Sequence, residues 1–173
     1  MKKYNKLLAI TMAGVILSAC DSDKPKKPLI SVPVQVYSEL KVLKGMVTDS
    51  KGPVRAGTVI VKDRDGKQVA ETMLEKSSHF RLEIPAGTEL PIELSLSSKA
   101  TTEKLRSIVI SKAVSEYDIS TLTTRIAKHA KELGGYTYGN MVIAADSTVG
   151  IPDANKTSTG FRGDPTKQYG GWH

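Results

Sequence analysis

The stretch Thr58-Val59-Ile60-Val61-Lys62-Asp63-Arg64-Asp65-Gly66-Lys67-Gln68-Val69-Ala70-Glu71-Thr72-Met73-Leu74 decides the fold. Its first five residues are rich in β-branched side chains, which fit a pleated surface. Asp63 to Gly66 is a turn, with Asp-Gly supplying positive φ at little steric cost. Gln68 to Leu74 then returns as a second strand. The same grammar extends in both directions. Leu40, Val42 and Met46 to Thr48 form a strand before it, closed by the turn cluster Asp49-Ser50-Lys51-Gly52-Pro53. After it, Phe80, Leu82 and Ile84 alternate with Arg81 and Glu83 up to Pro85-Ala86-Gly87. Ile92, Leu94 and Leu96 alternate with Glu93, Ser95 and Ser97, and Leu105 to Ser111 adds a sixth strand. Short alternating strands with regular punctuation predict an antiparallel β-sandwich over residues 40–117, each sheet with one face inward and one wet.

The period then changes. Leu122, Ile126, Ala130 and Leu133 fall at helical spacing, with Arg125, Lys128, Lys131 and Glu132 on the other side. Asp118 or Ser120 can cap the start and Gly134-Gly135 can end it. This predicts one helix over Thr121 to Leu133, packed on the sandwich, inside a helical extension spanning 118–146; Asn140 to Asp146 reads as a shorter helical piece. From Ser147 onward glycine and proline recur, so 147–173 reads as a flexible tail.

The N-terminus carries a different signal. Lys2, Lys3 and Lys6 precede Leu7 to Leu17, an uncharged apolar run. As a helix that run reaches roughly 16 Å at about 1.5 Å per residue, short of the ~30 Å a bilayer core demands. A basic n-region, an apolar h-region and small residues are the layout of a secretory signal. The run Leu17-Ser18-Ala19-Cys20, holding the only cysteine, resembles the lipobox of bacterial lipoproteins. The resemblance implies that 1–19 are removed as a signal peptide, that Cys20 takes a diacylglyceryl group and a further acyl chain such as palmitate, and that the protein is anchored to the inner or outer membrane facing the periplasm. Residues 20–39 then read as a tether, with Pro25, Pro28 and Pro33 opposing regular structure.

Charge and chemistry narrow the function. The formal charge of +7 falls to +4 without the three leader lysines, 22 basic against 18 acidic side chains; with export it gives no case for nucleic acid. His79, His129 and His173 have no partner at metal-ligand spacing, so no metal and no cofactor is expected. Asp63 and Asp65 precede a glycine, but the remaining oxygen ligands of a calcium loop are missing. No Gly-x-Ser-x-Gly elbow and no glycine-rich phosphate loop occurs. Tyr136, Tyr138, Phe161, Tyr169 and Trp172 hold five of nine aromatic residues. On glycine-rich backbone they suit sugar or peptide docking, or they fold back over one sandwich face.

The segments Lys44-Gly45-Met46-Val47-Thr48-Asp49, Gly52-Pro53-Val54, Ala56-Gly57-Thr58-Val59-Ile60-Val61, Asp65-Gly66 and Phe80-Arg81-Leu82-Glu83-Ile84-Pro85-Ala86-Gly87 are similar to a carboxypeptidase regulatory-like domain. That resemblance implies a small transthyretin-like, Ig-like sandwich that folds, binds or spaces rather than catalyses. The expected function is a lipid-anchored cell-envelope protein with a non-catalytic binding or spacer module for a protein or polysaccharide. Two other readings stand beside it: a structural lipoprotein subunit of a secretion or pilus assembly, and a small hydrolase or metal-handling protein using His79 or His129.

Overall fold

The computed structural model describes residues 34–149 and 167–169. Eight strands come first: β1 (Lys41–Met46), β2 (Thr48–Asp49), β3 (Gly52–Pro53), β4 (Thr58–Lys62), β5 (Gln68–Met73), β6 (His79–Ile84), β7 (Ile92–Ser97) and β8 (Arg106–Val109). Helices α1 (Thr121–Glu132) and α2 (Tyr138–Val149) and a 3-10 turn, Lys167–Tyr169, follow. The protein is mostly β, and its named strands all pair antiparallel. One sheet runs β5-β4-β7-β8, and β1 pairs with β6 in the other.

Alternation places the core as the sequence requires. In β6, Phe80, Leu82 and Ile84 are buried while His79, Arg81 and Glu83 are exposed. In β4, Val59 and Val61 turn inward, and in β7 Ile92 and Leu94 do. With Leu43 and Val47 they form one apolar core between the sheets. The Asp63–Gly66 turn is fixed by Asp63, whose Oδ1 accepts the N–H groups of Asp65 (3.0 Å) and Lys67 (2.9 Å), with Gly66 at φ 81°. Those contacts engage one Asp63 carboxylate oxygen within the turn.

Four features depart from the sequence reading. First, residues 115–119 run parallel beside β1. Lys44 straddles this segment, its N–H bonding Ser115 O (2.9 Å) and its carbonyl accepting from Tyr117 N–H (2.9 Å). Ile119 N–H then bonds Met46 O, and Thr48 N–H bonds Ile119 O (both 2.9 Å). These residues therefore add an edge to the β1–β6 sheet instead of merely leading into a helix. Second, Gly45 lies inside β1 as its fifth residue, under the backbone of Tyr117, a close approach that the strand pattern does not reveal.

Third, the shorter helical piece expected at Asn140 to Asp146 is a full second helix, as long as the first. Ser120, not Asp118, caps α1: its side chain accepts from Thr123 N–H (3.1 Å), and Thr123 Oγ1 accepts from Ser120 N–H (2.8 Å). Gly134 and Gly135, at φ 111° and 122°, end that helix in the conformation glycine tolerates. α2 runs three residues past the expected 146 boundary and packs Met141, Ala144 and Ala145 inward. Fourth, the expected tether and tail both contribute docked residues. Tyr37 N–H bonds Thr88 O (3.1 Å), Leu90 N–H bonds Gln35 O (2.8 Å), and Val36 bridges Glu89. Gln168 and Tyr169 are buried. Cys20 and the leader lie outside the described residues.

Tyr37 gives a direct test of the packing. Its ring is 3% exposed and its hydroxyl has no hydrogen-bond partner among the described residues. Burial pushes its phenol up to about 12. Leaving such a group unpaired costs about 1–3 kcal/mol, while removing it keeps the ring's apolar contacts. Tyr37→Phe is therefore expected to stabilise the protein by about 1 kcal/mol in urea unfolding; a loss of similar size would show that the hydroxyl is satisfied.

Candidate functional site

The outer face of β7 and β8 carries the strongest candidate. Because Ser95 lies opposite Arg106 and Glu93 opposite Ile108, these side chains share the face turned away from Leu94 and Ile92. The loop from Ser98 to Leu105 folds along the edge of this face and leaves an open hollow of about 370 Å³. Its walls are rich in hydroxyls: Ser95, Ser97, Ser98, Thr101 and Thr102. Glu93, Glu103, Lys104 and Arg106 supply the charges.

Local bonds hold that loop in place. Ser98 Oγ donates to Ala56 O and accepts from Ala100 N–H, and Thr101 Oγ1 accepts from Glu103 N–H at 3.2 Å. Glu103 Oε1 accepts both the N–H and the hydroxyl of Ser50, tying the β2–β3 turn to the rim. Gly57, at φ 134°, lets the chain pass close to Ser97 and Ser98; a Cβ there would lie 2.7 Å from Ser97 O. At the floor, Arg106 Nη1 stands 3.6 Å from Glu93 Oε2, with both side chains about one-third exposed. Burial and the nearby Glu93 charge push the Tyr136 phenol up, while the neighbouring Arg106 draws it down.

The predicted aromatic residues separate. Tyr136 is half-buried beside this ion pair, and Tyr138 is exposed at the start of α2. Tyr169 is 1% exposed, with its hydroxyl 3.1 Å from Ser107 Oγ and accepting from Ile108 N–H at 3.4 Å. It is a core residue, with no surface to offer a ligand. Phe161 and Trp172 lie outside the described residues. Sequence reasoning passed over the hollow's own residues because Glu93, Ser95 and Ser97 read simply as the wet face of a strand. Nothing in the sequence shows the path of residues 98–105 that turns this face concave.

A second hollow, of about 570 Å³, lies between the Asp63–Lys67 and Pro85–Glu89 turns. Its ion pair, Arg64 to Glu89 at 3.9 Å, is half-exposed on both sides and correspondingly weak.

The histidines do other work. His129 Nδ1 stands 3.0 Å from Ser147 Oγ, but that hydroxyl also lies 2.8 Å from Ile143 O and 3.2 Å from Ala144 O. The two side chains tie α1 to α2. A serine nucleophile gives its proton to the imidazole, and here Ile143 O and Ala144 O compete for that proton. His79 is exposed at the first position of β6. Among the described residues, no cluster of three metal-ligating side chains forms, and no helix is long and apolar enough to cross a membrane.

Asp118 marks the opposite edge. Its Oδ1 accepts from Met46 N–H at 2.8 Å. Burial raises its carboxyl above the ordinary range; the Met46 bond opposes this, Glu116 adds to the rise and His79 reduces it. A raised folded-state pKa means the folded protein holds the proton more tightly. That contribution is complete below the unfolded value of about 3.9 and is lost as pH climbs through the raised folded value. Asp118→Asn stays neutral throughout. It should match the parent near pH 3.5 and gain on it progressively toward pH 7 in urea unfolding. A variant that loses ground as pH rises would reverse the sign.

No family model matches the chain, and no curated protein matches it. Among solved structures, a 9R-lipoxygenase from Cyanothece PCC8801 is similar over 56% of this chain at 16% identity, with a TM-score of 0.30. The chain spans 18% of that lipoxygenase, and a likeness this slight assigns neither fold nor activity.

Proposed function

We propose that the chain is a lipid-anchored cell-envelope protein whose sandwich is a non-catalytic module, binding a protein or polysaccharide partner or holding one at a distance from the membrane. The observation that carries the binding reading is the hollow on the β7–β8 face. It is open, hydroxyl-lined and braced by Ser50, Ala56 and the Glu93–Arg106 pair, so its shape is set before any partner arrives. Preformed polar concavities lose little entropy on binding. The anchoring reading rests on the lipobox-like run ending at Cys20.

Each half has its own test. Cys20→Ala should move the protein from the membrane to the soluble fraction and abolish labelling with a fatty-acid probe; unchanged membrane attachment would refute the anchor. A photo-crosslinker at Ser97 should capture one discrete envelope partner. The same crosslinker at Lys128, 79% exposed on α1, should not. Equal capture from both positions, or turnover of an envelope substrate by the purified protein, would refute the binding module.

A further inference from the structure

We propose that the β7–β8 hollow binds a sugar carrying a single carboxylate, an inference that rests on the binding-module reading and gives it a ligand class. The argument comes from which polar groups in the hollow are already engaged. Both acids have partners: Glu103 Oε1 takes two donors from Ser50, and Glu93 Oε2 faces Arg106. The cations are less committed. Lys104 is exposed and makes no ion pair among the described residues. Arg106 turns one terminal nitrogen to Glu93, out of five donors in its fork. Ser97 and Thr102 offer hydroxyls with no partner among the described residues, whereas the Ser98 hydroxyl both donates and accepts within the loop and Thr101 Oγ1 already accepts from Glu103 N–H.

The hollow therefore holds spare positive donors beside spare hydroxyls. Spare cations call for an anion, and a row of hydroxyls beside the apolar Leu96 and Leu105 suits the edge of a sugar ring. Glu93 and Glu103 set the limit on charge. A carboxylate can sit between Lys104 and Arg106, while a phosphate dianion would meet two flanking carboxylates. The volume of about 370 Å³ falls in the range of small-ligand clefts, roughly 300–1,000 Å³. The exposure of these charges makes the binding weak and salt-sensitive.

The test compares two disaccharides on the full chain in detergent micelles, read by backbone amide shifts. One is N-acetylglucosaminyl-N-acetylmuramic acid, whose lactyl group supplies the carboxylate. The other is chitobiose, which lacks it. The acidic sugar should shift Ser97, Lys104 and Arg106 and bind at least about five-fold more tightly than chitobiose. Lys104→Gln, on an exposed side chain, should weaken the acidic sugar by about two- to five-fold and leave chitobiose unchanged. Equal binding of the two sugars, indifference to Lys104→Gln, or no shift with either overturns the inference. The crosslinker at Ser97 separates the two failures: continued capture of a discrete partner keeps the binding module while the acidic sugar falls.

Discussion

Gly45→Ala is expected to destabilise the protein by about 3 kcal/mol or more, lowering its melting temperature by roughly 10 °C. The cause is geometric. A Cβ built on Gly45 would lie 2.0 Å from the carbonyl oxygen of Tyr117, 2.7 Å from its carbon and 3.0 Å from the Phe80 ring. The first two are backbone atoms, so no rotamer change relieves them. Relief requires moving residues 115–119 off β1, which breaks the bonds among Lys44, Ser115, Tyr117, Met46 and Ile119. The displaced segment also carries Ser120, the cap of α1, so the damage reaches the helix. Domains are stable by only about 5–15 kcal/mol, so this is a large fraction. Thermal unfolding checks it; a Gly45→Ala protein within about 1 kcal/mol of the parent would mean that the parallel edge is not fixed as described.

Tyr169→Ala should cost a comparable amount, about 3–5 kcal/mol, the range for removing a large buried ring. Tyr169 fills the gap between β8, the edge of one sheet, and residues 115–119, the edge of the other. Its neighbour Gln168 spans the same gap: Nε2 donates to Ser107 Oγ at 3.1 Å, and Oε1 accepts from Asp118 N–H at 3.1 Å. Losing the ring leaves a cavity and removes a partner from Ser107 and from Ile108 N–H. Tyr169→Phe isolates the polar part and should cost about 1 kcal/mol. Urea unfolding of both variants separates the two contributions. If Tyr169→Ala unfolds at the parent's midpoint, the 3-10 turn is not part of the folded core.

What the sequence revealed and what it concealed follow from the range of the interactions involved. The longer strands between Lys41 and Val109 were legible because the burial of Phe80, Leu82 and Ile84, or of Val59 and Val61, stamps a period of two on consecutive residues, whereas the two-residue strands β2 and β3 fell largely within the stretch read as a turn. The Asp63 turn and the Ser120 cap were legible for a similar reason: their bonds join residues two to four apart. Residues 115–119 were not. Tyr117 and Ile119 alternate with Asp118 over too few positions to read as a strand, and their partners lie about 72 residues away. Tyr169 was legible only as one of several late aromatics that could fold back on the sandwich; its partners Ser107 and Ile108, about 62 residues earlier, exist only in the assembled sheets. The candidate hollow was half legible. Its wet strand face could be read from Glu93, Ser95 and Ser97, while its far wall depends on how the loop before β8 is strapped to Ser50 and Ala56.

The turn at Lys167–Tyr169 also sets the order in which this molecule can be finished. Ser107 waits for a partner 61 or 62 positions later in the chain, and contacts of such long range form slowly. A polypeptide made from its N-terminus has all eight strands long before Tyr169 exists. Until that residue arrives, the seam between the two sheet edges is held by the Arg106–Ser120 bridge and by the bonds of Thr123 and Thr124 to Arg106, and it lacks one of its larger buried rings. The last buried ring of the seam is thus supplied by a residue made after every strand and both helices.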